Sequence, residues 1–291
     1  MFGKKTLIVL SCLFLLPLGA NAKLNVMTTT MNLKSLVEEV GGKFVAVSSF
    51  CRGTQDPHYL EAKPSFMLKA SKADLLISIG LDLEVGWLPL IVRGARNPDI
   101  RKGRTGRLVA GDLVETLEKP AGKVSRSQGD VHPQGNPHIL LDPKRAIKIA
   151  KGIMKRLSSL DTEHKKEYEK RFARFQKKME KRLREWGKQV SKGTQVLTYH
   201  KTLTYFYEHF QVENVAILEP KPGVPPTASH IMKVMNKAKE KGVKLALVEN
   251  YFDPTVADRV AEEVDGLGVV PVPVAVGGNS EVNDLFQLYE F

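Results

Sequence analysis

Eight short apolar runs rich in β-branched residues alternate with helical patterns along this chain, four on each side of a long basic stretch at 144–188. Residues 24–26, 44–47, 74–79 and 108–109 read as strands in the first half, and 195–199, 215–218, 245–249 and 269–276 in the second. After the first strand, Leu33, Leu36, Val37 and Val40 fall at helical spacing, and Gly41-Gly42 supplies a stop. Pro64-Ser65 opens another helix, and 83–93 reads as a third. Strand and helix in alternation imply parallel pairing, because a parallel neighbour is reached only by a crossover, usually helical. The expected fold is α/β, with two α/β lobes built on parallel sheets. Residues 23–143 would form the N-terminal lobe, 144–188 a linking helical segment and 189–291 the C-terminal lobe.

The basic stretch constrains how the lobes are joined. Tyr168, Phe172, Phe175, Met179, Leu183 and Trp186 follow one another at steps of three or four, an apolar seam along one helix. A helix of about 25 residues spans roughly 38 Å, enough to run along both lobes. The seam lasts under three heptads and the chain enters it directly from a lobe. Packing against the protein's own lobes is therefore preferred to a dimerising coiled coil, and a monomer is expected. The whole chain has 44 Lys and Arg against 32 Asp and Glu, a formal charge of +12. Residues 144–188 hold 17 of those bases and 6 of those acids, so the lobes are nearly neutral. A solvated helix face accounts for this; contact with anionic lipid or an acidic protein surface is the sharper alternative.

Lys4 and Lys5 precede an apolar run at 7–18, and Ala20-Asn21-Ala22 follows it. This pattern predicts a secretory signal peptide at 1–22, since the run falls short of the roughly 20 residues a membrane span needs. Acylation at Cys12 is the weaker alternative, because apolar residues 13–16 continue beyond it. Export excludes nucleic acid as a physiological partner despite the basicity. Cleavage would leave Cys51 as the one cysteine, hence no internal disulfide. Its expected role is a small buried hydrophobe at a strand end rather than a metal ligand or reactive thiol.

Seven histidines occur, and three follow strand patterns or open a helix. His58 lies in Asp56-Pro57-His58-Tyr59, His138 in Asn136-Pro137-His138-Ile139, and His200 directly after Tyr199. Ligands of open α/β sheets bind beyond the carboxyl ends of the strands, where these three imidazoles from both halves would meet. Neutral imidazole is the commonest metal ligand, and three of them with one carboxylate suit tetrahedral Zn²⁺. Spacing alone leaves open whether each histidine merely caps a helix or lines a turn.

The three segments resemble, in order, the histidine motifs of the periplasmic metal-binding subunits of zinc and manganese ABC importers, the zinc-binding type in particular. The resemblance runs through Asp56-Pro57-His58-Tyr59 with Pro64-Ser65, Ala73-Asp74-Leu75-Leu76 with Gly80-Leu81 and Glu84, Pro137-His138 with Leu141-Asp142-Pro143, the long charged helix, and Tyr199-His200 with Tyr205-Phe206. It implies two α/β lobes joined by one long rigid helix, with the metal held in the inter-lobe cleft. It also implies His58, His138 and His200 as metal ligands, with a C-terminal carboxylate, best matched by Asp284, as the fourth. Asp284 also suits an N-terminal helix position, where an acid is favoured by the helix dipole. Glu249 ends a strand near the site, and its expected role is hydrogen bonding to a ligand histidine rather than ligation. Glu61 is similarly placed near His58, with a helix-start acid as the plainer reading.

The other histidines are expected elsewhere: His164 and His209 exposed on helices, His230 at a helix start, and His132 in the long loop 119–137. Zinc-binding members often carry a histidine- and acid-rich insertion in that loop. Here one histidine precedes the ligand among several bases, which argues against a metal-collecting loop. Glutamate in place of the third histidine marks the manganese type, because carboxylate suits Mn²⁺ and imidazole suits Zn²⁺. The implied function is capture of a divalent transition metal, Zn²⁺ first and Mn²⁺ or another as alternatives, and its delivery in the periplasm to an inner-membrane ABC transporter permease. A manganese or iron binder of the same family is one alternative. An exported zinc hydrolase is another, with water at the fourth position and Glu249 as base, but no His-Glu-x-x-His motif or nucleophile elbow appears, and no enzyme activity is expected.

Overall fold

The computed structural model describes residues 23–122, 131–221 and 223–291. The expected signal peptide at 1–22, with Cys12, lies outside these residues. Among them no helix is long and apolar enough to cross a membrane.

The first sheet is built from β1 (Leu24–Thr28), β2 (Val45–Ser49), β3 (Leu75–Ser78) and β4 (Arg107–Val109), in the order β2-β1-β3-β4. All its pairings are parallel. The second sheet repeats the plan with β5 (Gln195–Thr198), β6 (Glu213–Ile217), β7 (Leu245–Glu249) and β8 (Gly268–Val272), ordered β6-β5-β7-β8 and again parallel. Every residue of β3 is buried, as a central strand covered on both faces should be.

Helix α1 (Met31–Gly41) starts where the Thr30 side chain accepts from Leu33 N. It ends at Gly42, whose φ of 56° suits glycine. Its Leu33, Leu36, Val37 and Val40 are fully buried under the first sheet. Helices α2 (Pro64–Ser71) and α3 (Leu88–Ala95) complete that lobe. The basic stretch forms two helices rather than one, α4 (Pro143–Leu160) and α5 (Lys165–Gln189). Asp161 ends the first and His164 precedes the second.

Helix α5 carries the seam. Tyr168, Phe172, Phe175, Met179 and Trp186 are buried and Leu183 is partly so. The stripe packs on α1 and α4. Its Phe175 ring also meets Phe286 of the terminal helix α9 (Leu285–Glu290) at 5.6 Å. Truncating a buried aromatic such as Phe175 to alanine costs about 3–5 kcal/mol. Lys166, Lys170, Lys177, Lys181, Arg184 and Lys188 lie on the exposed side.

The C-terminal sheet is flanked by α6 (Thr204–Phe210), α7 (Ala228–Lys241) and α8 (Thr255–Glu263). After β8 the chain returns to the first lobe. Asn32 Nδ2 donates to Val274 O at 3.1 Å, and Val276 N donates to Asn32 Oδ1 at 2.8 Å. Leu285 N then donates to Ser35 Oγ at 3.1 Å, seating α9 on α1. The lobes are thus tied by α5 and by this returning tail.

Candidate metal centre

His58, His138 and His200 converge. One ring nitrogen of each lies within 4.8 Å of the others. His58 comes from the loop after β2, His138 from the turn that leads into α4, and His200 from just beyond β5.

Two of the rings are aimed by carboxylates. Asp56 Oδ1 lies 2.7 Å from His58 Nδ1, and Glu219 Oε2 lies 2.5 Å from His200 Nδ1. Each contact places the proton on Nδ1 and leaves Nε2 for the centre. Glu219 follows β6, and its backbone N donates to Tyr199 O, so parallel pairing with β5 sets it level with His200. Burial raises the Asp56 carboxyl, but hydrogen bonds and charge from His58 bring it below the usual range. Burial also works against a charged His200, yet Glu219, with Glu249 and Asp56, lifts it above the ordinary imidazole value.

His138 has no such support. Its Nε2 is buried and has no hydrogen-bond partner among the described residues. Burial, and then the neighbouring His58, His200 and His132, hold its pKa well below 6.5, so the ring is neutral and its lone pair available.

A fourth ring stands beside the three. His132 Nε2 is 3.2 Å from His58 Nε2, and His132 Nδ1 is 2.8 Å from Leu81 O. The segment that carries it is pinned at Asn136, whose Nδ2 donates to Lys201 O at 2.8 Å and to Glu118 Oε2 at 2.9 Å. Tyr205 OH donates to Asn136 O at 2.6 Å. A cavity of about 90 Å³ lined by His132, His138, His200, Glu118 and Lys201 opens alongside.

Residues 26–290 match the family described as zinc-uptake complex component A, periplasmic. The chain belongs to this family. Among its relatives, the metal ABC transporter substrate-binding lipoprotein SloC of Streptococcus mutans is 27% identical over 274 residues, covering 89% of this chain and 86% of SloC. The manganese ABC transporter substrate-binding lipoprotein PsaA of Streptococcus pneumoniae is 27% identical over 257 residues, covering 84% of this chain and 78% of PsaA. A crystal structure of ZnuA superposes with a TM-score of 0.75 at 21% identity, covering 92% of this chain and 96% of that one, so the fold is shared.

The carboxylates expected around this centre are placed differently. Asp284 caps α9, its Oδ1 accepting from Gln287 N at 2.8 Å, and is not in the cluster. The backbone that closes on His138 after β8 brings Val274 and Ala275, which offer no side-chain donor atom. Glu61 is on the surface, 81% exposed and 3.7 Å from Lys63 Nζ. Glu249 is fully buried at the end of β7, and its two oxygens have no hydrogen-bond partner among the described residues. Burial raises its pKa to about 7, against the pull of His200. It therefore acts on His200 by charge through space, and the hydrogen bond expected of it is made by Glu219.

The remaining histidines and Cys51 are structural. His164 stacks on Phe44 at 4.2 Å and meets Asp161 at 2.7 Å, while His209 meets Asp142 at 2.9 Å. Both were expected to be exposed; an acid on the neighbouring element draws each ring inward. His230 Nε2 lies 2.9 Å from Ile217 O, and the cap of α7 is Thr227. Cys51 is buried, its Sγ donating to Arg52 O and Gln55 O, and burial pushes the thiol up to about 12. At that value it supplies no thiolate for a metal.

Proposed function

We propose that this protein captures Zn²⁺ between its lobes in the periplasm and delivers it to the permease of an ABC importer. The observation that carries the reading is the convergence of neutral His138 with His58 and His200, two of the rings held from behind by carboxylates. That arrangement is the usual support for imidazole ligands. His58 and His138 lie on the N-terminal side of α5 and His200 on the C-terminal side, so bound metal ties both lobes. Nitrogen donors without a ligating carboxylate favour zinc over the harder manganese ion, although PsaA is named for manganese. Reversible binding without chemistry is the role this assigns, with a soluble exported chain starting at Lys23 after cleavage. SloC and PsaA are named as lipoproteins, so mass spectrometry of the mature N-terminus is the check, and an acylated Cys12 would replace the soluble form.

The test of capture is metal analysis of protein purified without chelator or added metal. One zinc per chain, lost when His58→Ala and His200→Ala are combined, supports the proposal. Zinc retained by that double variant, or absent from the parent protein after zinc titration, would sink it.

A further inference from the structure

The triad leaves one corner of a tetrahedron to be filled. Asp284 is committed to capping α9, and the tail after β8 presents Val274 and Ala275. We infer that His132 supplies the fourth ligand, so that the metal is held by four imidazoles, those of His58, His132, His138 and His200. This deepens the capture reading above and rests on it.

The ring geometry carries the inference. A backbone carbonyl only accepts, so the 2.8 Å contact to Leu81 O puts the proton of His132 on Nδ1 and the lone pair on Nε2. Asp56 and Glu219 fix the same tautomer in His58 and His200. The Nε2 atoms of His58 and His132 then face each other at 3.2 Å. Two lone pairs hold that position only around a shared cation or proton. In tetrahedral zinc with Zn–N bonds of about 2.0–2.1 Å, neighbouring nitrogens lie about 3.3–3.4 Å apart, close to the His58–His132 separation. His132 lies outside the group whose nitrogens are all within 4.8 Å of one another, so ligation requires its ring to move toward His138 and His200.

The backbone presents His132 through a built turn. Gly135 N donates to His132 O at 3.1 Å, and Gly135 adopts a φ of 105°. A Cβ there would stand 2.6 Å from Leu117 O, so glycine is what allows this close approach. Asn136, held by Lys201 O and Glu118, fixes the far side of the turn. Charge is consistent as well. Four neutral imidazoles bring none, and the two positive charges of zinc face the carboxylates of Asp56, Glu219 and buried Glu249.

The experiment loads the whole protein with Zn²⁺ for X-ray absorption and with Co²⁺ for visible spectroscopy, comparing it with His132→Ala. Expected are four imidazole nitrogens at about 2.0 Å and an intense tetrahedral cobalt spectrum in the parent. In His132→Ala, three imidazoles and an oxygen remain, and zinc affinity falls about tenfold or more, the loss typical of even a supporting residue. Three imidazoles plus oxygen in the parent, or unchanged affinity and spectra in His132→Ala, would overturn the assignment of His132 while leaving capture by the triad standing. A parent protein that takes up neither ion overturns capture itself.

Discussion

Glu219 holds His200 from behind, its Oε2 2.5 Å from Nδ1, and both side chains are almost fully buried. The contact decides which nitrogen faces His58 and His138, and it supplies negative charge one hydrogen bond away from the ring proposed to bind the cation. Glu219→Ala removes the tautomer lock and the charge together. Zinc affinity should fall about 10- to 100-fold with the fold retained, as read by competition with a chromophoric chelator and by circular dichroism. An unchanged affinity would show that the ring needs no carboxylate to stay in place.

Zinc should stabilise the chain, because the folded state brings the histidines together and the unfolded state does not. At free zinc about a hundredfold above Kd the gain is about 2.7 kcal/mol. The expected outcome is a higher Tm with zinc, reversed by chelator and absent from the His58→Ala, His200→Ala protein. Acid should erode the gain. His200, raised by Glu219, is protonated over a wider range of pH than a free imidazole and must lose that proton to bind. The zinc-dependent rise in Tm therefore shrinks as pH drops from 8 to 5. A rise independent of pH would argue against imidazole ligation.

Asp142 links the metal turn to α4. Its Oδ1 accepts from Lys144 N at 2.8 Å, and Arg145 Nη1 donates to Oδ2 at 2.6 Å, with His209 Nδ1 2.9 Å from Oδ1. Burial raises this carboxyl, but His209, Lys144 N and Arg145 lower it below the usual value. A depressed folded pKa means stabilisation that is present above the unfolded value of about 3.9 and lost as pH falls through the folded one. Asp142→Ala should cost about 2 kcal/mol at pH 7, or roughly 4–8 °C in Tm. The deficit should narrow as pH falls below about 3.9; a deficit that stays constant from pH 7 down through that range would mean that the carboxylate charge contributes nothing.

All eight strands and the seam of α5 were legible because both depend on period, which sequence carries directly. The break at 161–164 was not, although Asp161 is a helix-start residue type whose Oδ1 accepts from His164 N at 3.3 Å; the continuous basic composition on both sides masked that signal. In the centre, sequence pointed to His58, His138 and His200 through the motifs around them. It missed Glu219, whose partnership with His200 exists only through the parallel pairing of β5 and β6. A register argument would have found it, because both residues stand just past neighbouring strands. It also left His132 in a loop, since nothing in its flanking residues announces the contact with Leu81 that turns the ring inward. At Asp284 an acid before an apolar run fits a C-terminal ligand and a helix cap equally well, and its contact with Gln287 N belongs to the cap.

Glu249 tests the electrostatics of the metal-free centre. It is fully buried without a hydrogen-bond partner among the described residues, and its pKa stands at about 7. In the unfolded chain the value is about 4.3. Between those limits the folded protein keeps a proton that the unfolded chain has released, so stability falls as pH rises from about 4.3 to 7 and then levels off. Glu249→Gln keeps the shape and removes the ionisation. In metal-free protein the Tm advantage of the variant over the parent should grow between pH 5 and pH 8, by an amount equivalent to about 1–3 kcal/mol. Part of the gain is offset because His200 loses a negative neighbour. With zinc bound, the cation favours ionised Glu249, and the advantage of the variant at pH 8 should shrink or reverse. A difference between the two proteins that is the same at pH 5 and pH 8 without metal would show that Glu249 is not carrying a buried charge.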